Sequence, residues 1–311
     1  MKLIYSYIIC LFSIILVFSC NNTDNKISNS DPFFKISLAQ WSFNKMIIID
    51  GKNPLDFPKE AKNLGFEAVE LVSQLYSEKI KEIGFENTID SLAINLLDNN
   101  VKCLLIMIDK EGDLAHPEES LRDKAIENHK RWVDAAARLG CHSIRVNTNG
   151  TTVEDLWLEA AEDGLRKLAT YAASKNINVI VENHGGFSSQ PEKLMQVINT
   201  LNMSNCGTLP DFGNWCIKRV KKTKTCEIKY EDYYKGIELM MPAAMALSAK
   251  SYNFDKDGNE TKIDYVKMLQ IVKNSGYNGY IGIEYEGEKL SEKDGVIATR
   301  DLLLNAAKKL K

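Results

Sequence analysis

The sequence predicts a single (β/α)8 barrel, and two features of residues 35–311 lead to that prediction. Eight short apolar or β-branched runs recur along this segment, and stretches with a helical spacing of apolar residues separate them. Continuous apolar runs are typical of parallel strands, because both faces of a parallel sheet are covered. Strict alternation of strand and helix indicates a parallel α/β fold, and the segment has nearly the usual length of one barrel, about 250 residues.

The predicted elements follow from these runs in order. The strands are residues 36–41, 68–71, 101–108, 143–146, 178–181, 207–209, 243–249 and 280–283. Residues 118–139 and 154–175 show the clearest helical periodicity, with apolar residues three and four positions apart. A doubly wound open sheet is the competing fold. A dinucleotide-binding version would carry a glycine-rich turn after the first strand, and residues 41–45 contain no glycine.

The charge balance argues against a polyanionic partner. The 311 residues contain 39 Lys and Arg against 42 Asp and Glu, which gives a formal net charge of −3. Nucleic-acid-binding domains typically concentrate positive charge on one face. We therefore expect no nucleic-acid partner.

The first residues have the pattern of an export signal. Lys2 precedes a nearly uninterrupted apolar run over residues 8–18, and the chain becomes polar directly after Cys20. An aliphatic residue three positions before the cysteine and a small residue directly before it resemble the bacterial lipobox. That resemblance implies a signal peptide at residues 1–19, lipidation of Cys20 and a flexible tether over residues 20–34. The alternatives are an ordinary signal peptide or an N-terminal anchor helix. We expect an envelope protein, anchored on the periplasmic side of a bacterial outer membrane.

The other cysteines form no disulfide scaffold or metal motif. Apart from Cys10 and Cys20 there are five, at irregular spacings and without a C-x-x-C motif. Cys103, Cys141 and Cys206 lie in or beside apolar runs, which predicts buried thiols. Cys216 and Cys226 could pair, and the sequence does not decide whether they form a disulfide.

Polar side chains cluster where the predicted strands end. In a (β/α)8 barrel the active site lies at the C-terminal ends of the strands. The residues at these ends are Gln40, Trp41, Glu70, Arg145, Asn147, Glu182, Asn183, His184, Asp211, Ser248, Lys250 and Glu284. The carboxylates of Glu182, Asp211 and Glu284 would converge at this end and repel one another, and a divalent cation would relieve that repulsion. Glu70 has an alternative role, as the partner of a basic residue inside the barrel. Asp109 and Asp113 follow the third strand in a predicted lid or substrate loop, and Trp41 and Trp215 are candidates to stack on a sugar.

Four stretches resemble the xylose-isomerase-like TIM barrels of the sugar phosphate isomerase/epimerase superfamily. They are residues 129–147, 181–186, 211–215 and 283–287. The resemblance implies a divalent metal held by Glu182, Asp211 and Glu284. The family's fourth ligand, a histidine in a His-x-Lys motif on the seventh strand, is absent, since this chain has Ser248, Ala249 and Lys250 there. Loss of the imidazole favours Mg²⁺ or Mn²⁺ over Zn²⁺ or Co²⁺.

The resemblance further implies an isomerase or epimerase acting on a sugar or sugar derivative. Glu182 and Glu284 would exchange a proton next to a carbonyl through an enediolate, and the metal would polarise the oxygens. His184, Asn183, Lys250, Arg145, Trp41 and Glu70 are the expected substrate contacts. Two alternatives remain: a metal-free carbohydrate-binding barrel without catalysis, and a lyase or dehydratase acting on keto-sugars or cyclitols. The particular sugar and the oligomeric state stay open.

Overall fold

Eight parallel strands form the centre of the molecule. The computed structural model describes residues 32–220, 222–223 and 225–310. The strands of the eight-stranded sheet are β1 Lys35–Ala39, β2 Ala68–Val72, β3 Lys102–Met107, β4 Ser143–Val146, β5 Asn178–Glu182, β6 Cys206–Leu209, β9 Leu247–Ser251 and β10 Tyr280–Tyr285. Their order is β6-β5-β4-β3-β2-β1-β10-β9. Parallel bridges from Thr208 to Ala244 and from Asp211 to Ser248 join the two ends of the sheet. The predicted (β/α)8 barrel is confirmed.

Helices surround this barrel. They are α1 Asn44–Ile48, α2 Phe57–Asn63, α3 Ser77–Ile83, α4 Phe85–Asp98, α5 Glu119–Arg138, α6 Glu154–Ala173, α7 Pro191–Leu201, α8 Tyr233–Met240, α9 Tyr265–Asn274 and α10 Glu292–Ala307. Helices α5 and α6 agree with the predicted ranges to within two residues at each end. Among the residues described, no helix combines the length and apolarity needed to cross a membrane.

The two faces of the strands have different surroundings. Outward-facing residues join the helices in one large apolar core. Inside the barrel a much smaller apolar cluster forms, which includes Ala39, Val72, Leu105, Ile180 and Leu209. Several inward positions are polar instead, and Arg145, Glu182 and Lys250 alternate with apolar residues on their strands. Because side chains on a strand alternate between its two faces, one short strand contributes residues both to the core under the helices and to the barrel interior.

Four predicted strand boundaries differ from the observed ones by two residues or more. Two of them are the ends of the seventh and eighth strands, predicted at residues 249 and 283, whereas β9 ends at Ser251 and β10 ends at Tyr285. The first predicted strand continued to Trp41, but β1 ends at Ala39, and Gln40–Phe43 form a 3₁₀ turn. The Gln40 side chain accepts a hydrogen bond from the Val72 backbone N–H at 3.0 Å. The seventh predicted strand began at residue 243, whereas β9 begins at Leu247. Pro242 lies in a 3₁₀ turn just before it, in keeping with proline's preference for the first turn of a helix.

A disulfide-linked hairpin leaves the barrel after β6. Strands β7 Cys216–Arg219 and β8 Cys226–Lys229 pair antiparallel, and Cys216 and Cys226 form a disulfide. Cys103, Cys141 and Cys206 are buried free thiols, as predicted. The predicted signal peptide and Cys20 lie outside the described residues. Of the predicted tether, Phe34 is buried against the barrel, so the folded domain includes it.

Candidate functional site

The predicted acidic residues gather at the C-terminal mouth of the barrel. Glu182 ends β5, Asp211 follows β6, and Glu284 lies near the end of β10. Their exposed fractions are 1%, 0% and 4%. Carboxylates buried to this degree require partners, because an unpaired buried charge is costly.

Glu182 is held from two sides. Its Oε2 lies 2.9 Å from Nε of Arg145 on β4, and its Oε1 accepts a hydrogen bond of 2.6 Å from the Asn214 amide. Nη1 of Arg145 also donates to Oδ1 of Asp109 at 2.8 Å, and Asn147 donates to the same oxygen. Arg145 therefore joins the carboxylates that follow β3 and β5 into one charged network. The attraction of Asp109 and Glu182 outweighs the effect of burial and raises the pKa of Arg145.

Asp211 is fixed by a tight turn. Its Oδ1 accepts hydrogen bonds from the backbone N–H groups of Gly213 and Asn214 at 2.8 and 2.7 Å, and its Oδ2 accepts 2.5 Å from the Ser248 hydroxyl. Asn183 supports the turn from below, since its amide donates to the carbonyls of Asp211 and Asn214 and accepts from the Asp211 N–H. These bonds use both amide hydrogens, so Asn183 holds the turn, and the geometry gives its predicted substrate contact no support.

Lys250 lies among the remaining acids. Its ammonium nitrogen is 3.0 Å from Oε1 of Glu284, 3.4 Å from Oε1 of Glu286 and 3.9 Å from Oδ2 of Asp211. It also donates to Oδ1 of Asn214 at 3.3 Å, so Asn214 joins Glu182 to Lys250. The attraction of these carboxylates outweighs the effect of burial and holds the pKa of Lys250 well above its usual range.

Negative charge exceeds positive charge in this cluster. Five carboxyl groups face two cations: Asp109, Glu182, Asp211, Glu284 and Glu286 against Arg145 and Lys250. Burial raises the pKa of Glu284 to about 8, and the charges of Glu286, Glu182 and Asp211 add to the shift against the attraction of Lys250. Burial likewise raises the pKa of Asp211 to about 6 against the attraction of Lys250.

His184 and Trp41 stand at the rim. His184 is exposed to solvent but lies within the concave mouth, and the protein atoms that surround it there lower the pKa of its imidazole. The Trp41 indole donates to Oε1 of Glu286 at 2.6 Å, and this bond and Lys250 together hold the pKa of Glu286 below its usual value despite burial. Trp215, the other tryptophan predicted to stack on a sugar, is 2% exposed and donates to the Phe212 carbonyl.

Glu70 lies apart from the mouth, in the barrel interior. It is fully buried, and its Oε1 accepts a hydrogen bond of 2.7 Å from Ser37. Its Oε2 has no hydrogen-bond partner among the residues that the structure describes. The carboxyl group fills space beside Gly282, where a Cβ atom would lie 2.4 Å from Oε1. Burial raises the pKa of Glu70 to about 7, against the Ser37 hydrogen bond. The alternative of a basic partner is not borne out, since Ser37 is the residue that binds its carboxyl group; its role as a substrate contact stays a prediction.

Three residues of the network were missing from the predicted site. Glu286 is two positions beyond Glu284 and one residue beyond the end of β10, a spacing that directs both side chains to the same side, so the signal was present. Asp109 lies two residues beyond the end of β3 and was placed only in a loop. Asn214 gives no comparable signal, because its position depends on the turn that Asp211 forms.

The donor set does not fit a divalent metal in this arrangement. Of the six carboxylate oxygens of Glu182, Asp211 and Glu284, three accept hydrogen bonds from Asn214, the 213–214 backbone and Ser248. Two more, Oε2 of Glu182 and Oε1 of Glu284, lie 2.9 and 3.0 Å from Nε of Arg145 and Nζ of Lys250. Within residues 32–220, 222–223 and 225–310, no three His, Cys, Asp or Glu side chains are placed to hold a metal ion. A metal would have to displace Lys250 from Glu284 and Ser248 from Asp211.

Fold and site together define a (β/α)8 barrel with a buried acidic centre at its mouth. The chain belongs to the xylose isomerase-like TIM barrel family, whose match spans residues 58–306. No curated protein sequence matches it at a significant level.

Solved structures of the same fold include proteins of several functions. A 3-keto-D-glucoside 4-epimerase, YcjR from E. coli, superposes with a TM-score of 0.61 at 15% identity over 80% of this chain and 95% of its own. IOLI with a bound zinc atom gives 0.66 at 14% identity, covering 89% and 99%. A xylose isomerase-like protein from Mycobacterium smegmatis in complex with magnesium gives 0.62 at 16%, covering 88% and 97%. At identities of 14% to 16%, the similarity to these structures shows a common fold and nothing about activity.

Proposed function

We propose that this protein is a sugar isomerase or epimerase that moves a proton next to a carbonyl group. One observation carries the proposal: Glu182 on β5 and Glu284 on β10 are buried at the same mouth, with strands β6 and β9 between them. Two carboxyl groups that approach a ligand from different sides can act as general base and general acid. Family membership and the epimerase of the same fold support a sugar substrate.

The chemistry follows from the residues around the two glutamates. One glutamate carboxylate removes the proton from the carbon beside the carbonyl. The electron pair of that C–H bond forms the carbon–carbon double bond of the enediolate, while the π pair of the carbonyl moves onto its oxygen. Arg145, Lys250 and His184 are the donors available for the oxygens of the resulting enediolate. The second glutamate donates its proton to carbon. Return to the same carbon from the opposite face gives an epimer, and return to the neighbouring carbon gives an isomer.

Solvent exchange tests this proposal directly. Candidate ketoses, aldoses and 3-keto-glycosides are incubated with the protein in ²H₂O, and deuterium at carbon is measured by NMR. Glu182→Gln and Glu284→Gln should each lower the exchange rate by about 100-fold or more, the usual contribution of a positioned acid or base. Glu159→Gln, an exposed change on α6, is the matched control and should leave the rate unchanged. Undiminished exchange in both site variants would remove the glutamates from their roles.

A carbohydrate-binding barrel without catalysis is the second candidate, and Ser248 favours it. The hydroxyl of Ser248 lies where the family resemblance predicts a histidine ligand, and it bonds Asp211 and Glu284. Sugar binding in calorimetry with no exchange in any substrate would select this function. Loss of water from the sugar, detected by mass spectrometry, would select a lyase or dehydratase.

We also propose that the protein is tethered to the bacterial cell envelope through lipidated Cys20, on the periplasmic side of the outer membrane. The apolar run that ends directly before Cys20 supports this proposal. Several acyl chains on one residue would hold the protein stably, whereas a single chain binds membranes only marginally.

A further inference from the structure

The centre of the acidic mouth contains a positive charge that belongs to the chain. The Lys250 ammonium lies within 4 Å of three carboxylates, two of which, Asp211 and Glu284, are predicted metal ligands. Only 1% of Lys250 is exposed, so solvent screens these attractions weakly. The third predicted ligand, Glu182, has its own cation in Arg145.

Several contacts fix Lys250 in this position. In the β9–β10 pairing it lies in register with Glu284, and its backbone carbonyl accepts a hydrogen bond of 2.7 Å from Tyr265. The absence of a side chain at Gly213 leaves room for its stem, since a Cβ there would lie 3.1 Å from Cγ of Lys250. The Asn214 amide oxygen accepts from the ammonium at 3.3 Å.

Ser248 places a hydrogen-bond donor beside two of the predicted ligand oxygens. Its hydroxyl can donate one hydrogen, and it lies 2.5 Å from Oδ2 of Asp211 and 3.4 Å from Oε2 of Glu284. A metal ligand must instead direct a lone pair at the ion, at about 2.0–2.6 Å. Oδ2 of Asp211 therefore accepts the Ser248 hydrogen, and Oε1 of Glu284 lies 3.0 Å from the Lys250 ammonium, so both oxygens face groups of the chain.

We propose that Lys250 takes the place of the divalent cation, so that the site works without a metal and the Lys250 ammonium is the group that faces the substrate's carbonyl oxygen. An ammonium supplies hydrogen-bond donors as well as charge, and both stabilise a developing oxyanion. To receive that oxygen, Lys250 exchanges one of its weaker contacts, Asn214 or Glu286, for the substrate. The role of Lys250 at the carbonyl rests on the proposed function, whereas its exclusion of a metal does not.

Metal binding is the first test. The full-length protein is stripped with EDTA, equilibrated with MnCl₂ or ZnCl₂, and examined by ICP-MS and thermal unfolding. We expect no stoichiometric metal, and dissociation constants weaker than about 1 mM. A wild-type protein that holds one equivalent of Mn²⁺ or Zn²⁺ with a micromolar dissociation constant overturns the proposal, whether or not any sugar reacts.

Variants at the two positions sharpen the test. Lys250→Met combined with Ser248→His removes the ammonium and supplies an imidazole, and should bind Mn²⁺ or Zn²⁺ at least about 100-fold more tightly than wild type. Ser248→His alone restores the His-x-Lys motif of the family and should gain less affinity than the double variant, because the ammonium still lies beside Asp211 and Glu284. Lys256→Met, an exposed change, is the matched control. Binding by Ser248→His alone that is as tight as in the double variant, or an unchanged affinity in the double variant, contradicts the role of Lys250. If the double variant does not fold, the metal affinities of the wild type and of Ser248→His still test whether the site excludes a metal.

The substrate role is measured separately. Deuterium exchange by the wild type should survive EDTA, and Lys250→Met should lower kcat for exchange with a smaller change in KM. Exchange that EDTA abolishes overturns the proposal. Absence of exchange in every sugar, with metal still excluded, contradicts the proposed function while leaving the metal exclusion by Lys250 in place.

Discussion

At the scale of single residues, Glu70 shows how an acid inside the barrel differs from the acids at its mouth. Glu182 and Glu284 lie 2.9 and 3.0 Å from the cations of Arg145 and Lys250, whereas among the described residues Glu70 has one hydroxyl donor and an oxygen without a hydrogen-bond partner. Burial favours the protonated form and outweighs the Ser37 hydrogen bond, which raises the pKa of Glu70 to about 7 from an ordinary value of 4.5.

This pKa makes stability depend on pH. Between about pH 4.5 and 7 the folded protein keeps the Glu70 proton while the unfolded chain has released it. The free energy of unfolding therefore falls as pH rises through this window and levels off above it, by a Glu70 contribution of about 3 kcal/mol. Glu70→Gln should remove this part of the decline and be more stable than wild type at pH 8.

Urea unfolding at pH 5, 6, 7 and 8 measures the effect. Glu67→Gln, an exposed neighbour in sequence, serves as control and should follow the wild-type curve. Parallel curves for Glu70→Gln and wild type would mean that Glu70 titrates alike in both states.

At the scale of elements, β10 contributes residues both to the acidic mouth and to the packing of the barrel interior. Its Gly282 and Glu284 share one face, so the residue that leaves room for Glu70 is two positions from a mouth carboxylate. A side chain at position 282 would meet both carboxylate oxygens of Glu70, at 2.4 and 2.5 Å. Glycine is required here by close approach inside the barrel.

Gly282→Ala should accordingly destabilise the protein by about 1–3 kcal/mol, the usual cost of overpacking a core. The double variant with Glu70→Ala has space for the new methyl group, so the two changes together should cost less than their sum. Chemical denaturation of the wild type, both single variants and the double variant gives the coupling energy. Additive effects would show that the contact with Glu70 does not limit this position.

The elements also show what the sequence could predict. Strand β4 matches its predicted range, because apolar runs report burial directly. Glu182, Asp211 and Glu284 were placed at the mouth for the same reason, since strand ends follow from strand positions. The hairpin of β7 and β8 was missed, because β8 is exposed along its whole length and has no apolar run. The contacts of Asn214 and Lys250 depend on tertiary packing, which periodicity does not encode.

At the scale of the whole molecule, the barrel domain accounts for residues 32–310 and the N-terminal segment carries a separate prediction. Cys20→Ala should abolish acylation and move the protein from the membrane fraction to the soluble fraction when it is expressed in a bacterial host. Intact-mass measurement and fractionation are the readouts, with Cys10→Ala as the matched control within the predicted signal. Unchanged partitioning of Cys20→Ala would rule out the lipid anchor.

The disulfide between Cys216 and Cys226 has a practical consequence for anyone who prepares this protein. It closes a loop that begins two residues after Asn214, the residue that contacts both Glu182 and Lys250. Disulfides form in oxidising compartments and are rare in the reducing cytosol. Material made in the cytosol of a standard host will carry two thiols at this hairpin, and any binding or activity measured on it will describe a less constrained protein than the disulfide-bonded form. Thiol titration before any assay distinguishes the two forms.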